Sequence, residues 1–476
     1  MRLCSVRVFE VDPGLKNGGT AVVQVSSDVI PSGRLVVSHT KSTHTDFDDV
    51  RRFFEAAKDG MIRVLSTGSV QPLLVTIPNQ RFPMTETVSA MGALYALHVP
   101  LQVSELTGNK HKATKLGLLT LNQQLITQIR GIEAGRNVFR DVGGSDPERM
   151  TPPATGDYIL AAFGANSAVK VEVLADQNQI AKEFPLMAAV NRAANAVKRH
   201  QARLISLEYT PDGPVQETLM LVGKGVTIDT GGVDVKTGGA MVGMSRDKCG
   251  AAAVAGFFKV LDVLRPKGIR VSGYMCMVRN SIGEEAYTCD EILVGRSGRR
   301  IRVVNTDAEG RMTMMDPLCK MKERALKEVN PHLMTIATLT GHAALAYGEG
   351  FSAAMDNGPA ERSQFAYHLQ KASELIGGPI EVSRLRTEDF AHHRALSEYA
   401  DLRQGGAEPS VRTPRGHQTP GAFMIMGSGL EQHGSDSSQP LKFTHLDMAG
   451  ADGPFPGVPY AQPVAALAAH FVLPRI

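Results

Sequence analysis

Two β-like runs, 218–222 and 301–304, each open into a loop dense in glycine and charge, and this pairing constrains the chain more than any other feature. The first loop reads Gly223-Lys224-Gly225-Val226-Thr227-Ile228-Asp229-Thr230-Gly231-Gly232-Val233-Asp234-Val235-Lys236 and continues to Arg246-Asp247. The second reads Asn305-Thr306-Asp307-Ala308-Glu309-Gly310-Arg311. In an extended segment residues i and i+2 face the same side, so Asp307 and Glu309 can aim at one point, which suits a hard or borderline cation. Open α/β sheets bind ligands beyond the carboxyl ends of their strands, and both loops follow such an end. The pattern therefore predicts that Lys224, Asp229, Asp307 and Glu309 converge. Singly, each charged residue has an ordinary reading. Asp229 before Gly-Gly is a turn residue. Asp247, ahead of a helix starting at Gly250, is a cap or a partner of the helix dipole. Arg311 is an ion-pair partner, and Lys224 is a surface or phosphate-binding lysine.

The rest of the chain reads as α/β, with strands and helices alternating. Its 476 residues suffice for two or three domains. We expect a small N-terminal α/β domain with a linker helix over 1–150 and a larger α/β domain with a central mixed sheet over 151–476. In the first, strands are expected at 34–38 and 72–77. Helices are expected at 46–58, with Phe47, Val50, Phe54 and Ala57 on one face, and at 85–97. A long helix over 122–140 ends at the breakers of 141–147. In the second, strands at 204–209, 269–278 and 333–339 join the two above. Helices are expected at 250–264, from just after Asp316-Pro317 to 328, and at 360–376, and 403–421 reads as a long loop.

Composition narrows the function classes. A net charge of +3 is too small to give a nucleic-acid or acidic-membrane footprint. No apolar run reaches the ~18 residues of a membrane helix. Residues 1–7 are not followed by the apolar core of a signal peptide, so a cytoplasmic protein is expected. The cysteines include Cys249, Cys276, Cys289 and Cys319, without CxxC spacing. They read as reduced thiols acting as small buried hydrophobes.

Together the two loops resemble the leucyl aminopeptidase family of dinuclear metal exopeptidases. That family carries a Val-Gly-Lys-Gly…Asp-Ser-Gly-Gly…Lys…Asp block and then Asn-Thr-Asp-Ala-Glu-Gly-Arg. The second motif is intact here, and the first differs only by Thr230 in place of serine. The resemblance covers about 218–345, including Thr338-Leu339-Thr340-Gly341, and returns at 445–450, where His445 and its neighbours match a supporting strand and turn. It implies two divalent ions (zinc or manganese, or else cobalt or magnesium) bridged by Asp229 and Glu309. Asp307 would serve one ion, and Lys224 with Asp247 the other. Lys224 would ligate as the neutral amine, with a pKa well below the ~10.4 of a free lysine. Lys236 would polarise the scissile carbonyl, and Arg311 would hold a bicarbonate as general base. A hydroxide bridging the metals would attack the carbonyl, and one metal would bind the free α-amine, confining cleavage to the first residue. Met244, Thr338 and Gly341 match positions of the pocket for a leucine-like, apolar side chain. The family is usually hexameric, so a homo-hexamer acting on peptide substrates is implied.

Met312 replaces the usual leucine, and prolines after 451 replace a Gly-rich stretch that partly lines the pocket, which leaves the first-residue preference open. Asp234 lies outside the pattern and reads as a solvated loop residue or a partner for Lys236. Other chemistries fit less well. Gly223-Lys224-Gly225 lacks the full GxxxxGK[ST], and HExxH is absent. The adjacent His392 and His393 read as surface residues. The main competitor is a non-catalytic hexameric scaffold, or a nucleic-acid-binding homologue of the same fold. Against it, every ligand and catalytic position of the pattern is filled, and there is no basic footprint.

Overall fold

The structure, a computed structural model, describes residues 19–476 apart from 29, 109 and 121. The signal-peptide reading of residues 1–7 and Cys4 lie outside the described residues. The chain forms two compact units. One comprises the residues through Val99, Val103–Ile129 and Leu375–Gly377. The other comprises Pro100–Gln102, Arg130–Glu374 and Gly378–Ile476.

In the smaller unit, Thr20–Gln24 pairs antiparallel with Arg34–Ser38. Helices Arg51–Ser66 and Thr85–Leu97 pack together so closely that a Cβ on Gly92 would lie 2.2 Å from the Phe54 carbonyl oxygen. The first of these helices starts later than the 46–58 expected, and the strand expected at 72–77 shrinks to Leu73–Leu74. The long helix Gln123–Gly144 begins in this unit and continues from Arg130 in the larger one.

The larger unit is mixed α/β, as expected. Its eight-stranded sheet has the order Ile380–Val382, Ser352–Asp356, Lys442–Asp447, Pro331–Ala337, Glu217–Asp229, Ile269–Asn280, Arg203–Tyr209, Val169–Leu174. The four strands from Lys442–Asp447 to Ile269–Asn280 are mutually parallel. Parallel strands are covered on both faces and so read as continuous apolar runs. Leu219, Met220, Leu221 and Val222 accordingly have no exposed surface. Helix Cys249–Leu264 lies against the sheet and is buried on nearly every side, as a mostly apolar helix must be. Among the described residues no helix is long and apolar enough to cross a membrane.

The helix expected at 360–376 divides into Gly358–Arg362 and Phe365–Leu375, and the loop expected at 403–421 gives way to the helix Gln418–Ser428. Three further boundaries differ from expectation and matter to the site. The strand expected to stop at 222 continues to Asp229. Its glycines serve close packing rather than termination. A Cβ on Gly223 would meet the Gly250 carbonyl oxygen at 2.6 Å, and one on Gly225 the Met277 sulfur at 2.5 Å. Lys224 is therefore inside the strand and Asp229 is its last residue, not loop residues beyond its end. The run at 301–304 is a strand only over Arg300–Arg302, within a separate three-stranded sheet with Ile292–Val294 and Leu402–Arg403. The two motifs thus come from different sheets. The helix expected after Pro317 begins at Glu309 and carries Pro317 in its interior.

Candidate metal centre

Four acidic side chains and two lysines meet where the central strand ends. Lys224 is 3% exposed, and its Nζ lies 2.7 Å from Asp247 Oδ1 and 2.9 Å from Glu309 Oε1. It also donates to the Thr338 carbonyl at 3.0 Å. Its aliphatic stem runs beneath the start of the Glu309 helix, where a Cβ on Gly310 would lie 2.5 Å from Lys224 Cε. That contact explains the glycine after Glu309. Asp229 Oδ1 accepts from the Gly231 N–H at 2.9 Å and from Asn280 Nδ2 at 2.8 Å, while Oδ2 faces Lys236 Nζ at 3.0 Å. Lys236 Nζ also lies 2.5 Å from Asp307 Oδ1. Asp247 follows the short 3-10 turn Met244–Arg246 and accepts from Thr338 Oγ1 at 3.0 Å.

The segment holding Asp307 and Glu309 is not extended. Asp307 lies in a turn and Glu309 opens a helix. Both still line the same cavity, because the turn replaces the strand alternation that the i, i+2 spacing suggested.

The electrostatics ask for cations. Four carboxylates against two ammonium groups leave two negative charges in excess. Burial and the charges of Asp229 and Glu309 push the Asp307 carboxyl up to about 7. Asp247 and Glu309 are raised for the same reasons. Burial works to lower the Lys224 ammonium, but Asp247, Glu309 and Asp229 outweigh it and hold the group above the ordinary lysine range. The expected neutral Lys224 is therefore not what the protein's own charges favour, and a neighbouring cation would be needed to reverse the sign. The oxygens Asp247 Oδ2 and Glu309 Oε2 are buried with no hydrogen-bond donor among the described residues. Asp229, Asp247 and Glu309 each offer a ligand atom within 4.8 Å of the other two. Orphaned buried oxygens, excess negative charge and an oxygen-rich donor set with one amine fit divalent ions.

The cluster floors a cavity of about 390 Å³. Arg311 sits at its wall, 8% exposed, with NH1 donating to the Gln404 carbonyl at 3.1 Å and Nε unpartnered among the described residues. Burial brings its guanidinium down to about 10. It forms no ion pair among the described residues, contrary to its ordinary reading. Met244, Thr338 and Gly341 line the same cavity, as do Ala449 and Asp452.

Several supporting residues escaped the sequence reading. Asp234 is exposed, as a solvated loop residue should be, and forms no ion pair with Lys236, but it is hydrogen-bonded to the neighbouring loop. Its Oδ2 accepts from the Thr306 N–H at 2.7 Å and the Cys289 thiol at 3.2 Å, and its own N–H donates to Thr306 Oγ1 at 2.9 Å. Thr306 Oγ1 in turn donates to the Gly231 carbonyl at 2.6 Å. Asp234 and Thr306 thus clamp the loop carrying Lys236 to the loop carrying Asp307. Cys289 is part of this clamp and is only half-buried, unlike the buried Cys249, Cys276 and Cys319. Gln404 holds the second loop from its other side, accepting from the N–H groups of Val304 and Asn305 and donating to the Ala308 carbonyl. These partners lie up to 100 positions apart in the chain, so only Thr306, within the motif, carried any sequence signal. Asp234→Ala should lower kcat roughly tenfold to a hundredfold through misplacement of the ligand loops, with a cooperative melting transition retained. Steady-state kinetics with a thermal melt would check this, and unchanged kcat would remove Asp234 from the site's support.

His393 corrects the surface reading of the histidine pair. It has no exposed surface, and its ring nitrogens lie 3.0 Å from the Arg403 carbonyl and 2.9 Å from that of Thr419. His392 is half-buried and lines the cavity. His445 is buried in the strand Lys442–Asp447, with Nδ1 2.7 Å from Thr335 Oγ1.

The cavity's residues fall inside a stretch, 137–463, that matches the model of the "Cytosol aminopeptidase family, catalytic domain". The chain belongs to the cytosol aminopeptidase family. "Putative aminopeptidase W07G4.4" of Caenorhabditis elegans is 55% identical over 462 residues, covering 96% of this chain and 88% of that protein. A "Probable cytosol aminopeptidase" of Tropheryma whipplei is 30% identical over 330 residues, covering 69% of this chain and 61% of that protein. A solved structure, "Bottromycin maturation enzyme BotP in complex with Mn", superposes with a TM-score of 0.76 at 22% identity over 94% of this chain and 92% of that one, a likeness of fold. As a member of the cytosol aminopeptidase family the chain is a hydrolase, a metal-dependent exopeptidase of the aminopeptidase type.

Proposed function

We propose that this chain removes leucine-like, apolar first residues from peptides at a dinuclear metal site. The observation that carries the proposal is the convergence of Lys224, Asp229, Asp247, Asp307 and Glu309 on one cavity floor, with Lys236 and Arg311 at its edge. Asp229 and Glu309 would be shared between the two ions, with Asp307 helping to hold one and Lys224 with Asp247 the other. Bound divalent ions supply Lewis-acid polarisation of a carbonyl and acidify water near neutral pH. Zinc or manganese suits this donor set, which also accepts cobalt or magnesium.

The chain's own groups have separable tasks. Lys236 keeps a fixed positive charge at the cavity, held by Asp229 and Asp307, and would stabilise the negative charge that grows on the carbonyl oxygen. Arg311 would hold a bicarbonate as general base, a role supported by its burial without an acidic partner. Met244, Thr338 and Gly341 would receive the first side chain along an apolar wall. The catalytic domain would span 151–476, with 1–150 as the N-terminal domain and its linker helix. The protein would act in the cytoplasm, in keeping with the relatives' printed name, and as the homo-hexamer that the family resemblance implies.

The test compares leucine amide with its N-acetylated form, before and after chelation and manganese re-addition. The expected result is cleavage of the free-amine compound alone, lost with chelator and restored by manganese. Cleavage of both compounds would overturn the exopeptidase reading. No cleavage by metal-replete protein across several first residues would favour a scaffold that has kept its ligands.

A further inference from the structure

One charged group in the cavity is used by neither the metal site nor its support. Asp452 lines the same cavity as Met244, Gly341, Ala344 and Ala449, in the stretch where the sequence departs from its family. Its carboxylate forms no ion pair and accepts no hydrogen bond from another residue among the described residues. The nearest cationic influence is Arg246, which is 4% exposed and is directed instead at carbonyls. It donates to those of Asp452 at 3.3 Å, Pro454 at 3.4 Å and Gly457, and so fixes the loop that presents Asp452. Burial and the charge of Glu349 push the Asp452 carboxyl up to about 6, so it is an anion at neutral pH despite its surroundings.

A half-buried carboxylate without a partner is costly. Residues 452–457 could have ended this wall with an apolar side chain and did not. Lysine and arginine carry an apolar stem with a cationic tip. The stem matches Met244, Ala344 and Ala449, and the tip would give Asp452 a charge-assisted hydrogen bond. Leucine would cover the carboxylate without pairing it, leaving a desolvated polar group unmet.

We infer that the first-residue pocket selects lysine and arginine over leucine, with Asp452 as the residue that reads the charge. The inference rests on the aminopeptidase reading and sharpens its substrate class from apolar to apolar with a cationic end.

The full manganese-loaded chain would be assayed on the coumarylamides of lysine, arginine, leucine, methionine and glutamate. In parallel, binding of free lysine and free leucine would be followed by titration calorimetry. Lysine and arginine are expected to exceed leucine by about tenfold or more in kcat/KM, with glutamate the poorest and lysine the tighter-binding product. Asp452→Asn and Asp452→Ser should each collapse the lysine-to-leucine ratio toward one, whatever their absolute rates. Leucine or methionine cleaved as fast as lysine by the unaltered chain would overturn the inference, as would an unchanged ratio in either variant. Hydrolysis of none of the five amides would instead sink the aminopeptidase reading. The calorimetry would then decide alone, with equal affinities for lysine and leucine overturning the role of Asp452.

Discussion

Glu309→Gln should abolish hydrolysis, lowering kcat/KM by at least about a thousandfold, while leaving the fold intact. Glu309 is 1% exposed, with Oε1 2.9 Å from Lys224 Nζ and Oε2 buried without a donor. Glutamine has nearly the same shape, so the helix starting at Glu309 keeps its packing. It removes one of the cluster's negative charges and sets an N–H donor where a cation's ligand is wanted. Stability should move the other way from activity. In chelated protein the variant should melt at or above the temperature of the parent chain, because an uncompensated buried charge has been removed. Kinetics, metal content and thermal melts of both proteins would be compared. A variant that keeps its metal and more than a tenth of the activity would exclude Glu309 as a bridging ligand.

Metal removal should have the second largest effect. Activity should be lost, and the melting temperature should fall by roughly 5 °C or more, since ions that bind only the folded chain stabilise it by mass action. The fall should depend on pH. In the ion-free protein the Asp307 carboxyl is held at about 7 against an ordinary 3.8, and Asp247 and Glu309 are raised too. An acid with a raised folded pKa favours the fold fully only below its unfolded pKa, and that contribution is lost as pH rises through the folded value. Lys224 and Lys236 are raised as well, and their stabilising contributions persist until pH passes the ordinary lysine range. Between pH 5 and 8 the carboxylates therefore dominate. Chelated protein should melt lower at pH 8 than at pH 5.5, and the difference between chelated and metal-replete protein should widen over that range. A chelator-induced shift that is equal at both pH values would show that the cluster is not the site losing the ions.

Much of this site was legible because its chemistry is concentrated in two short segments. Asp307, Glu309 and Arg311 lie within five positions, and Lys224, Asp229 and Lys236 within thirteen. The route by which they meet was not legible. Gly223 and Gly225 looked like the end of a strand, but they continue it, because a helix backbone and the Met277 sulfur occupy the space of a side chain. Pro317 looked like a helix start but stands in the interior of a helix that begins eight residues earlier. Asp234 is exposed, as expected, but its tie to the site was hidden because its partners, Thr306 and Cys289, are 72 and 55 positions away.

By itself the sequence determined the α/β class, the identity of the charged groups and their family, since these depend on residue type and short-range order. Only the tertiary structure decided which sheet each motif leaves, which carboxylate oxygens lack a donor, and that Asp452 lines the same cavity as Met244. Those facts depend on burial and on contacts between distant segments, and burial sets the cost of a charge without a partner.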